Sequence, residues 1–209
     1  MMDQFTKEEQ LQQLADIRSL MEKSSRFISL SGLSGVGAGI CALLGSLVAW
    51  WRLQQYSLTT VNYAEQKSAL LWELFLIAGL TLVAAFCVAG FFTRRKAQRQ
   101  GQKLWDQSSR QLLGNLFIPL VTGGLFCLIL LQQGIISMIA PATLIFYGLA
   151  LVNASKYTLN DIRYLGFCQI ILGLLNASFI SLGNGLLFWT LGFGILHIVY
   201  GIYLHVKYE

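Results

Sequence analysis

"ALVNASKYTLNDIRYLG", residues 150–166, sets a lysine, an aspartate, an arginine and two asparagines between two long apolar runs. Read as a turn, it divides the chain into helices that cross a membrane and come back. Residues 150–157 finish one crossing. Thr158 can cap the next helix, with Asp161 three residues on as an approximate capping box. Asp161 also falls where a helix N-terminus favours negative charge. Lys156 and Arg163 hold the turn on one side of the membrane, and Tyr157 and Tyr164 mark the headgroup level. Asn153 is left over, about one turn inside the apolar run. We expect its amide to join helices, with contact to a ligand as the alternative.

The composition around this turn agrees. Of 209 residues, 55% are hydrophobic and 12% are charged, about half the charge of an ordinary soluble domain. The mean hydropathy of +0.59 points the same way. A surface so poor in charge is hard to keep in water, whereas lipid solvates apolar side chains directly. The net charge of +5 does not indicate nucleic acid, because six of the fifteen Lys and Arg lie in residues 94–110, between apolar runs. Charge placed there sets topology.

A helix needs about 20 apolar residues to cross the hydrocarbon. Six such runs are predicted, at 28–51, 69–92, 112–131, 138–156, 162–181 and 185–206. The last two are separated by a tight turn around Gly183-Asn184-Gly185. The expected fold is an all-α integral membrane protein, a six-transmembrane-helix bundle of three hairpins spanning 28–209. Residues 1–27 precede it. Within them Leu11, Leu14, Ile17, Leu20 and Met21 recur at helical spacing, which predicts an N-terminal amphipathic cytoplasmic helix. Five acidic residues against four basic ones suit a protein partner or a second copy better than anionic headgroups. No cleavable signal is expected, since the first apolar run is too long for one.

Orientation follows from the connections. Lys7, Arg18, Lys23 and Arg26 precede span 1. Arg94, Arg95, Lys96, Arg99, Lys103 and Arg110 follow span 2, Lys156 and Arg163 follow span 4, and Lys207 ends the chain. The opposite side has Arg52 and Lys67. The positive-inside rule therefore predicts both termini in the cytoplasm. Trp50, Trp51 and Trp72 at one face and Trp105 and Tyr208 at the other suit interfacial belts.

Small residues form rows in span 1: Ser31, Gly35, Gly39 and Ser34, Ala38, Ala42, Ser46. In lipid, close backbone approach drives helix association, so Gly35, Gly39, Ala42 and Ser46 are expected at a packed interface. A dimer contact or a cavity-lining face is the alternative. No phosphate loop is read here, because no GK[ST] follows.

Ionisable and polar groups inside spans are costly, and so are candidate sites. His197 is the deepest candidate for a ligand or proton site, and the commoner role for such a residue is a neutral His hydrogen-bonded to a neighbouring helix. Glu73 lies near the outer end of span 2. Asn176, Asn153 and Asn115 fall in spans 5, 4 and 3, where amides usually link helices. Pro119 is deep enough in span 3 to kink it, and Pro141 suits a first turn. Cys41, Cys87, Cys127 and Cys168 stand singly in apolar runs and form no metal or disulfide framework. HExxH and GxSxG are missing, as is any mid-membrane charged pair. No enzyme activity, metal or cofactor is expected.

"MEKSSRFISLSGLSGVGAG" (21–39) and the opening stretch resemble segments of uncharacterised six-span bacterial inner-membrane proteins. The resemblance implies an integral protein of a prokaryotic inner membrane, and it carries no activity or catalytic residues. The expected function is a non-enzymatic membrane sensor, regulator or scaffold. Its partners would be membrane lipid, a cytoplasmic protein or a second copy, and not nucleic acid. Two alternatives stand beside it: a small transporter or channel for a neutral or apolar solute, and a haem- or quinone-binding redox protein around His197.

Overall fold

At membrane depth a backbone must satisfy its own donors and acceptors, so long apolar runs fold as helices. The computed structural model describes residues 11–14, 31–58, 63–99, 101, 105–179 and 184–208, and every regular element among them is helical. The elements are α1 (Gly32–Leu58), α2 (Tyr63–Arg99), α3 (Gln107–Gln132), α4 (Ile136–Tyr157), α5 (Ile162–Ser178) and α6 (Gly185–Tyr208). The rod α4 has a 3-10 turn at each end, and α6 carries a π-helical segment, Thr190–Leu196. Five helices, α1 to α4 and α6, are long and apolar enough to cross a membrane. At 17 residues, α5 is shorter. Most of the predicted helix at 3–27 lies outside the described residues, as do 28–30, Lys103 and 180–183; residues 11–14 are helical, with Leu11 and Leu14 exposed.

Sequence neighbours pack antiparallel. On α1, Gly37 lies against Val88 and Phe92 of α2, and Gly45 lies against Thr81. Farther along, the Arg52 guanidinium grips the Glu73 carboxylate, its Nε at 2.9 Å. Gly123 of α3 meets Phe146 of α4. The α4–α5 hairpin crosses at two glycines: a Cβ on Gly148 would stand 2.6 Å from the Gly166 carbonyl oxygen, and one on Gly166 would stand 2.8 Å from that of Gly148. Gly166 ends the stretch quoted first, so its polar turn closes a glycine-crossed hairpin.

The helix α6 joins the two halves. One face packs antiparallel on α1, where a Cβ on Gly201 would lie 2.5 Å from the Val36 amide nitrogen and 2.8 Å from the Gly32 carbonyl oxygen. Another face meets α4 and α5 through Gly192, which touches Leu144 and Gln169. Without a hydrophobic drive between helices, such backbone contact is what holds them. None of the residues in the most apolar window of α2 is buried inside the protein, so that helix is peripheral.

The ends of the helices have local causes. Asp106 caps α3, its Oδ1 accepting the Ser109 amide at 2.7 Å while the Ser109 hydroxyl accepts the Asp106 amide at 2.9 Å. The Ser109 hydroxyl donating to the same Oδ1, together with the Ser109 amide, holds the Asp106 carboxyl below the usual carboxylate range. Gly134, at φ +73°, stops α3. The Ile135 amide donates to the Leu130 carbonyl and the Gly134 amide to that of Leu131, the pairing of a Schellman motif. Pro119 sits inside α3, which continues through it.

Candidate functional site

A buried polar group assembles where α4, α5 and α6 meet. Gln169 of α5 is fully buried, and its Nε2 donates to the Gly192 carbonyl at 2.7 Å. That carbonyl lies in the π segment, where an inserted polar side chain accompanies the widened turn. The same oxygen stands 2.9 Å from His197 Nδ1, and the Tyr147 hydroxyl stands 2.8 Å from His197 Nε2. A carbonyl only accepts, so Nδ1 carries the proton. A charged imidazolium with no carboxylate partner would be costly at this depth. The ring is therefore neutral, and Nε2 accepts the Tyr147 hydroxyl proton. The 3.4 Å approach of Gln169 Nε2 to Nδ1 is then a contact between two donors, both aimed at Gly192.

Aromatic rings close around this chain of bonds. Phe193 is stacked on His197 with centroids 5.9 Å apart, and it meets Tyr147 at 5.1 Å and Trp189 at 4.9 Å. The cluster is neutral throughout and built to hydrogen-bond. Both His197 nitrogens are engaged within the protein, so haem ligation would first have to break the Tyr147 bond.

The remaining predicted residues are dispersed. Asn176 is buried two turns beyond Gln169 on the same side of α5. Asn153 donates to the Asn115 carbonyl at 3.0 Å and so ties α4 to α3. Glu73 is held by Arg52, with about two-fifths of its side chain exposed. Gly35 and Gly39 lie against Gly201 and Gly194, while Ala42 and Ser46 are buried. The glycine face of α1 is thus filled by the α6 backbone. Asp161 makes no side-chain cap bond at the start of α5, unlike the expected capping box; its Oδ2 instead accepts Lys207 Nζ and the Tyr208 hydroxyl, each at 2.7 Å. Burial alone would push its carboxyl up, but these bonds and the lysine charge bring it below the ordinary aspartate value.

Tyr147 and Gln169 were not singled out from the sequence. Gln169 had a readable signal, a long polar amide in the middle of "FCQIILG". Tyr147 falls in the middle of the run 138–156, and its role is not readable until the fold places its hydroxyl opposite His197. Among the described residues, no group of three or more His, Cys, Asp or Glu is placed to hold a metal ion. No family model, curated protein or solved structure matches the chain.

Proposed function

We propose that this is a six-span protein of a prokaryotic inner membrane, with both ends cytoplasmic, acting without catalysis as a sensor, regulator or scaffold through its basic end. The carrying observation is the distribution of charge. The antiparallel register gathers exposed Arg94, Arg95, Arg99, Arg110, Lys156 and Arg163 at one end. At the other, Arg52 is tied to Glu73. Between the ends the outer faces are apolar, which suits lipid. The sixth crossing has a geometric support. Leu144 lies beside Gly192 and Tyr147 beside His197, so α4 and α6 run in the same direction. If both cross, the chain must recross between them, and α5 is the segment available.

A test uses membranes carrying the full chain, a chain lacking residues 1–24, and a chain with Arg94, Arg95 and Arg99 replaced by Gln. Lysine-reactive cross-linking from the cytoplasmic side should give adducts that weaken in both variants. An unchanged adduct pattern in both would count against a cytoplasmic contact role. Transport of a neutral solute along the glycine face of α1 is the weaker reading, because α6 backbone occupies that face.

A further inference from the structure

Among the described residues, three buried side-chain polar atoms have no hydrogen-bond partner in the protein: Gln169 Oε1, Asn176 Nδ2 and the Tyr200 hydroxyl. All three belong to α5 or α6. Gln169 and Asn176 are seven residues apart, two turns along one face of α5. Tyr200 follows His197 by three on α6, packed among Leu151, Leu165 and Leu204. Beyond it, Lys207, Tyr208 and Asp161 close the basic end of the same seam. From Asp161 to Asn176 is fifteen residues of α5, about 22 Å.

We propose that the α5–α6 seam binds water, a small neutral molecule that is both donor and acceptor. Three observations carry this. The unpartnered atoms include an acceptor (Oε1), a donor (Nδ2) and a group that is both (the hydroxyl), so no ion is called for. The bonded set Gly192, His197 and Tyr147 lies between Gln169 and Tyr200, with Asn176 two turns beyond Gln169 on α5. An unpaired polar atom away from water is expensive, and three on one seam are better explained by shared occupants than by three separate losses. Buried water that bonds otherwise unpaired groups is a normal part of protein interiors. This site is independent of the cytoplasmic contact surface, so either can fail alone.

The test uses the whole chain in lipid bilayers, with water as the probe. Solid-state NMR with magnetisation started on water should reach the Gln169 and Asn176 side-chain amides early, and Leu144, fully buried beside the seam, late. Tyr200→Phe removes a hydroxyl with no protein partner, and Asn176→Leu removes an amide whose Nδ2 has none. With bound water, both should lower the unfolding temperature, by about 2–4 °C for a loss near 1 kcal/mol. Transfer to the two amides no earlier than to Leu144 overturns the proposal. So does an unfolding temperature that stays level or rises in both variants, the result expected when an idle polar atom leaves a dry core.

Discussion

At the scale of single residues, the fold turns on positions where a side chain is missing. The Gly201 Cβ position is walled by main-chain atoms of Gly32 and Val36, which cannot rotate away. Gly201→Ala should therefore force α1 and α6 apart and cost about 1–3 kcal/mol. Gly79 has nothing within 4 Å of its Cβ position, so Gly79→Ala should be neutral or slightly stabilising through helix propensity. Thermal unfolding of the two variants in one detergent checks the contrast. Equal losses would mean that the α1–α6 contact is not a backbone contact. The His197 ring offers a second check. Its ¹⁵N signals should show a protonated Nδ1 and a bare Nε2, with Tyr147→Phe shifting Nε2 most. A ring protonated on Nε2 would contradict the assignment. The small-residue rows and the depth of His197 were legible in the sequence. Gln169 was legible only as a lone amide in an apolar run and Tyr147 not at all as a partner, because their roles depend on which helix lies opposite, and apolar periodicity carries no such information in a helix that is apolar all round.

At the scale of elements, the apolar runs located the helices but not their ends. The run predicted at 69–92 is part of a 37-residue helix, about 55 Å long against roughly 30 Å of hydrocarbon. Its basic last turns, with Lys96 and Arg99, remain helical because charge ends a membrane run without ending a helix. The start of α3 depends on Asp106 and Ser109, a pair readable only as a local cap. The π segment in "TLGFGIL" has no sequence period of its own, and it coincides with the bond from Gln169 to Gly192. The turn at 158–161 acts beyond its own hairpin through Asp161. Its carboxylate is held below the ordinary aspartate value, so its stabilising contribution is present above that value and fades as pH falls through the lowered one. Asp161→Asn should lower the unfolding temperature at neutral pH, and only modestly because Lys207 is exposed. The gap to the parent should narrow in acid below the ordinary aspartate range. A gap constant with pH would show that the carboxylate charge contributes nothing.

At the scale of the whole molecule, five long apolar helices and a shorter one alternate in direction, and charge is sorted to one end. The register of α4 with α6 ties the location of the C-terminus to whether α5 crosses. A cysteine-free background is suitable, since Cys41, Cys87, Cys127 and Cys168 are all free thiols. Single cysteines in place of Arg95, Gly134 and Tyr208 would then be treated with a membrane-impermeant maleimide on intact spheroplasts. The six-span arrangement predicts labelling at 134 from outside, and at 95 and 208 only after the membrane is opened. Labelling of 208 from outside, with 95 still protected, would contradict it.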